Sequence, residues 1–254
     1  MPVVQPTGAP MSTRVSLGFL YRKGDKNALV KTYKQSAALS NQVWPSDGTI
    51  TFSAQAIGAA DPERFVVCLF YAKDNLINST LNGVTIGGQT AQFDMAGTTG
   101  TPNNNDGAVG IAWAYVPAGT TADVVFSWGT KFQDSTTAAG MAIDTYTVVG
   151  PMNMNSIWSY NVNTNVNRTF TFSIPPGGVA FAVMGVANAA GTLTGTVTVD
   201  MPGTAYVNGV DRWGGSQANA SNTAFLDGQT AIFTNPISSG QAAGTAARVF
   251  GRYG

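Results

Sequence analysis

The sequence predicts an all-β protein, and three observations predict it. Short apolar or alternating runs recur along the chain, separated by Gly, Pro, Asn and Asp turns at a spacing of about 8–12 residues or a little more, as in β-sandwiches. Only 10% of residues are charged, against roughly 25% in an average soluble protein, and Gly, Thr, Ala, Asn and Val fill the space. With 44% hydrophobic residues, the chain is too apolar for intrinsic disorder. Its 254 residues suffice for two β-domains of ordinary size, roughly 100–150 residues each.

The first 43 residues stand apart. Residues 1–35 hold Arg14, Arg22, Lys23, Lys26, Lys31 and Lys34 against Asp25 alone, a net charge of +5. The rest carries seven basic and twelve acidic residues, a net −5. A basic lead on an acidic body fits docking onto a negative protein surface as well as it fits a solvated tail. Nucleic acid is the less favoured partner. Leu29, Val30, Tyr33 and Ala37 have helical spacing, so residues 1–43 are expected to form an irregular or partly helical arm.

Strands begin after Trp44. Thr49-Ile50-Thr51-Phe52-Ser53-Ala54 alternates polar with apolar, as a half-buried strand does. Asp61-Pro62-Glu63 is a turn. The continuous run Phe65–Tyr71 predicts a central strand covered on both faces. Val84-Thr85-Ile86 leads into the Gly87-Gly88 turn, and residues 101–107 form a polar loop. Val109–Val116, Asp123–Trp128 and Gly140–Val149 complete a first set.

Gly150-Pro151 breaks the pattern, and residues 152–156 read as a linker. A second set includes Arg168–Ile174, Val179–Met184, the alternating Thr192–Val199, and strands near Thr230–Phe233 and Gly244–Phe250. Thr51-Phe52-Ser53 recurs as Thr171-Phe172-Ser173, and Ala139-Gly140-Met141-Ala142 as Ala243-Gly244-Thr245-Ala246, which suggests a duplication. The expected architecture is two tandem antiparallel β-sandwiches, jelly-roll or Ig-like: an attachment arm over 1–43, a first sandwich over 44–150 and a second over 151–254.

The chemistry of the side chains argues against an enzyme. The chain has no histidine, hence no Ser–His or Cys–His pair. Cys68, alone in an apolar run, reads as a small buried hydrophobe, and no intrachain disulfide can form. Glu63 is the single glutamate, and most aspartates fall at turns. Asp94, Asp123 and Asp144 are the carboxylates that folding could bring together. No cofactor or metal motif is present; Asn103-Asn104-Asn105-Asp106-Gly107 offers oxygens but lacks the spacing of a calcium loop. The longest apolar stretch, Val179–Ala190, is too short and Gly-broken to span a membrane. The N-terminus lacks a secretory pattern, so synthesis in a cytoplasm is expected. Trp213, in Asp211-Arg212-Trp213-Gly214-Gly215-Ser216, is expected in a long polar loop, where Arg212 and Trp213 could contact a glycan or a neighbouring subunit.

Several segments carry a resemblance. Arg64-Phe65-Val66-Val67, Val84–Ala91, Val116–Val125 and the Gly140–Gly150 strand resemble a loose family of β-sandwich proteins from tailed-phage structural modules and prophages. Ile174-Pro175-Pro176-Gly177-Gly178-Val179 looks like the partner sandwich those proteins often carry, and Gly8-Ala9-Pro10-Met11-Ser12 is similar to leaders of phage fibre and appendage proteins. The lysine-rich segment 22–34 departs from the pattern. The resemblance implies a virion component, made in the host bacterial cytoplasm and displayed on a tail, fibre, appendage or head. It would be docked through Arg14, Arg22, Lys23, Lys26, Lys31 and Lys34 to capsid, tail or neck proteins. It also implies a homo-oligomer, with a trimer as the expected form; the short apolar runs predict no membrane insertion. A carbohydrate-binding adhesin module, contacting host surface glycans, is the alternative.

Overall fold

A computed structural model describes residues 29–40, 48–74, 80–97, 106–129, 140–150, 152–155, 168–186, 204–210, 212–220, 226–233 and 243–252. Among the described residues every regular element is a strand. The strands are β1 (Val30–Ser40), β2 (Thr49–Ala56), β3 (Arg64–Asp74), β4 (Leu81–Ile86), β5 (Gln89–Thr90), β6 (Gln92–Gly97), β7 (Asp106–Tyr115), β8 (Thr121–Trp128), β9 (Gly140–Val149), β10 (Met152–Asn155), β11 (Arg168–Ile174), β12 (Val179–Val186), β13 (Thr204–Val210), β14 (Arg212–Ala220), β15 (Leu226–Phe233) and β16 (Ala243–Arg252).

All pairings are antiparallel. Sheet A has the order β1-β9-β3-β7-β6, and sheet B the order β2-β8-β4-β5. Sheet C runs β10-β16-β12-β14-β13, and β11 pairs with β15 in sheet D. In the first half the opening strand lies beside the closing one, and the closing one beside the third. The second strand lies beside the penultimate one on the facing sheet. This is the order of a jelly roll, with β5 and β6 acting as one strand that changes sheets at Ala91. The second half repeats it: β10, β16, β12, β14 and β13 stand where β1, β9, β3, β7 and β6 stand, and β11-β15 where β2-β8 stand. Thr192–Val199 lies outside the described residues.

Alternation explains the layers. On β8, Ala122, Val124, Phe126 and Trp128 are buried while Thr121, Asp123 and Ser127 are exposed, so one face is core and the other water. Phe126 meets Phe52 of β2 and Phe70 of β3 edge-on, at centroid distances of 6.2 and 5.1 Å. Val66, Cys68, Phe70 and Ala72 of β3 join this first core between sheets A and B.

The other face of β3 is buried too. Val67, Leu69 and Tyr71, with Val109, Ile111, Trp113, Tyr146 and Val148, pack on Val179, Phe181, Val183 and Phe250 of sheet C. Sheet A therefore lies between two cores, which is why the Phe65–Tyr71 run shows no alternation. Strands β1–β9 build sheets A and B, and β10–β16 build C and D. The passage between them is Gly150-Pro151. Gly150 has φ +124°, a region glycine enters without strain, and its N–H donates to the Glu63 carbonyl at 3.1 Å.

Three expectations are corrected. Met152–Asn155, expected within a linker, form β10, paired with β16. Residues 30–40 are a strand, neither helical nor irregular, paired with β9 from Val30↔Val149 to Ser40↔Gly140. A bulge between Tyr33 and Gln35 shifts the phase of the strand, so that Tyr33 packs on Tyr146 while Ala37 packs on the opposite core, and their helix-like spacing marks no common face. Arg212 and Trp213 lie on β14, with Trp213 opposite Val186, instead of in a loop. Lateral pairing on both sides of β14 overrides a Gly/Ser/Asn composition that is poor for strands.

Candidate functional site

The place where the basic segment joins the body is the best-defined candidate site. Leu29 is buried in the core between sheets A and C, and its N–H donates to the Gly177 carbonyl at 2.9 Å. The chain thus enters β1 at the crease between the two halves. Val30 pairs with Val149, and Arg64 pairs with Val149 on its other side, so this entry lies at the Arg64 end of sheet A.

Arg64 organises that end. Its side chain is fully covered, and its guanidinium donates to six backbone carbonyls. Nε reaches Val116 at 2.8 Å. Nη1 reaches Ile57, Gly58 and Ala59 at 3.2, 3.0 and 2.5 Å, and Nη2 reaches Ala118 and Gly119 at 2.7 and 3.0 Å. One cation thereby ties the β2–β3 loop to the β7–β8 loop. Burial lowers its pKa, and the nearby Asp61 charge acts in the opposite direction. Beside it, Phe65 and Tyr115 meet at a tilt with centroids 5.4 Å apart, and the Tyr115 hydroxyl donates to the Pro62 carbonyl at 2.6 Å. Tyr115 is 47% exposed.

Of the six basic residues expected to dock the particle, Arg14, Arg22, Lys23 and Lys26 lie outside the described residues. Lys31 and Lys34 are on β1, built into the body. Lys31 is half-buried, and desolvation lowers its pKa. Lys34 is the bulge residue, with its ammonium over Gly58; a Cβ on Gly58 would stand 2.7 Å from Nζ. The strand of Arg212 and Trp213 is described, their side chains are not.

The three aspartates are not brought together. Asp123 is exposed on sheet B, where its carboxylate accepts the N–H of Ala54, a residue held at φ +51° in the β2 bulge, at 2.7 Å. Asp94 and Asp144 share one row of sheet A, Asp94–Ile111–Leu69–Asp144. That row puts them roughly 14 Å apart at about 4.8 Å per strand, beyond the reach of a carboxylate pair. Among the described residues no group of three His, Cys, Asp or Glu side chains could hold a metal, and no helix is long and apolar enough to cross a membrane.

Sequence reasoning missed one polar cluster. Arg248, on β16 and only 7% exposed, forms an ion pair with Asp94 of β6. Its guanidinium lies 3.9 Å from the centroid of the Trp113 ring and 5.7 Å from that of Phe250. Desolvation lowers its pKa to about 10. From Trp113, edge-to-face contacts run to Phe250 at 5.5 Å, Phe181 at 5.8 Å, Tyr146 at 5.2 Å and Tyr33 at 5.5 Å, along the whole seam of sheets A and C. An arginine inside the run Ala246-Ala247-Arg248-Val249-Phe250 was the available signal: a charge on an inward strand face needs a partner.

No protein-family model and no curated protein matches the chain. A solved structure, of the Macrobrachium rosenbergii nodavirus, aligns with 99% of this chain and 96% of its own, at 13% identity and a TM-score of 0.19. Similarity at that score carries no argument about fold or function.

Proposed function

We propose that the protein is a structural component of a virion: a β-sandwich part displayed on the tail, fibre, appendage or head of a tailed phage, docked through the basic segment ahead of β1. In this reading it is not an enzyme, and its partners are other virion proteins and further copies of itself. The observation that carries the proposal is how the basic segment is anchored. It continues into β1, which pairs with β9 from end to end, and Leu29 plugs the crease. Pull on the segment is therefore spread along a full strand of sheet A. The jelly-roll order supports the same reading, since that architecture recurs in viral capsid and lectin domains, although a fold alone does not decide function.

The test is a truncation just before Leu29. Removing residues 1–40 would also remove β1 and open both cores of sheet A, so the cut belongs at 28. The shortened protein should keep its circular dichroism spectrum and melting temperature and lose incorporation into particles. Incorporation at the normal level would refute docking through the segment.

One observation favours the glycan-binding alternative. Tyr115 is half exposed while its hydroxyl and its Phe65 neighbour hold it in place, a rigid platform for a sugar face. Glycan-array binding lost in Tyr115→Ala would support it.

A further inference from the structure

The two halves pair through equivalent faces. The registers β3·β9 and β12·β16 superpose when Val67, Leu69 and Tyr71 are matched to Val179, Phe181 and Val183, and Asp144 and Tyr146 to Arg248 and Phe250. The repeated Ala-Gly-x-Ala at 139 and 243 has the same offset as the second match. The Thr-Phe-Ser triplets agree as well, because a bulge follows Phe52 on β2 and Phe172 on β11. Except for Asp144 and Arg248, all of these matched face residues lie in the single core between sheets A and C.

The contacts across that core follow an approximate two-fold pattern, closer on the side of β16, which also meets β6, than on the side of β14. β12 lies over β3, its own counterpart. β16 meets β7, and the matching contact of β9 with β14 is present; β12 meets β7, and β3 meets β14. Reciprocity of this kind defines an isologous interface, the kind formed by two copies of one unit about a two-fold axis. The apolar part of the seam would thus serve a first half paired with another first half nearly as well as the pair found here.

The charges would not. Asp94 faces Arg248 across the seam, and the position matched to Arg248 in the first half is Asp144. In a pair of two first halves, each Asp94 would face the partner copy's Asp144, setting a half-buried carboxylate against a buried one. The position matched to Asp94 in the second half is Thr204, so a pair of two second halves would leave Arg248 without its carboxylate. We propose that Asp94 and Arg248 are the specificity residues of this interface, directing each sandwich to the other kind and away from copies of itself. When many copies are crowded together, this prevents the sandwiches of neighbouring chains from pairing in the wrong combination. This pairing preference holds whether or not the protein belongs to a virion.

The test uses the full chain with a protease site inserted between Gly150 and Pro151, cleaved after folding. Preparations of normal and heavy-isotope protein are mixed, and native mass spectrometry counts the pairs. Unaltered halves should exchange into first–second pairs almost exclusively. Arg248→Asp should weaken the association of the halves by at least about 30-fold, and adding Asp94→Arg should restore it. Asp94→Asn, a milder change, removes the carboxylate repulsion and should raise the share of first–first pairs at least about tenfold. First–first pairs at the statistical share in the unaltered protein, or an unchanged share in Asp94→Asn, would overturn the proposal.

Discussion

Phe70 and Gly110 face each other on β3 and β7, and the Phe70 ring occupies the space that a Cβ on Gly110 would need. A glycine inside a strand costs conformational entropy, and here the ring covering it supplies the packing that the missing side chain would have given. A Gly110 Cβ would also stand 2.5 Å from the Asp94 carbonyl, an atom of the backbone that cannot step aside. Gly110→Ala should therefore lose about 1–3 kcal/mol by overpacking, despite alanine's better fit to strands. Urea unfolding measures it; a gain in stability would show that Phe70 has another place to go.

Arg64→Lys should be one of the most damaging conservative changes in the chain. Lysine keeps the charge, yet three donors on a single nitrogen cannot reach six carbonyls on two loops. A loss of about 3 kcal/mol is expected, seen as a lowered urea midpoint. Hydrogen exchange should place the new opening at residues 57–63 and 116–120.

Asp123→Ala removes the acceptor of the Ala54 N–H and leaves the positive-φ residue of the β2 bulge without its support. The bond is exposed, so the expected cost is about 1 kcal/mol, read from thermal melts. Asp123→Asn keeps an acceptor and should recover most of it.

Cys68 makes a prediction about pH. Burial, and secondarily the charge of Asp144, raise its folded pKa well above the ordinary value of 9.0. In the unfolded chain the thiol ionises near pH 9, so above that pH the folded state binds more protons and stability falls as pH rises. Cys68→Ala should remove this part of the alkaline loss, measured as the urea midpoint between about pH 8 and pH 10. In the native protein the thiol should resist a disulfide reagent until sheet A opens.

The strands that carry the first core were legible because their alternation is set by one wet face and one dry face; β2 and β8 are the clear cases. β3 was legible for the opposite reason, since a run without alternation means cover on both sides. β1 was not, because its bulge at Lys34 shifts the phase of the pattern halfway along. β13 and β14 were not, because Gly, Asn and Ser say little about strand formation and only their neighbours make them strands. The site was legible in charge but not in place. Six basic residues marked the segment expected to dock, and two of them turn out to belong to a strand. The Asp94–Arg248 pair joins residues 154 positions apart, a contact that no local pattern announces.

Sheet A touches water only at its rims. Every side chain along the middle of β3 belongs to one core or the other, and the backbone between them rigidly couples the two. An insult to either core is thus felt in the other through the thickness of a single sheet, as long as the uncut chain holds the halves side by side. The uncut chain should melt as one unit in calorimetry, even though its strand order repeats from one half to the other.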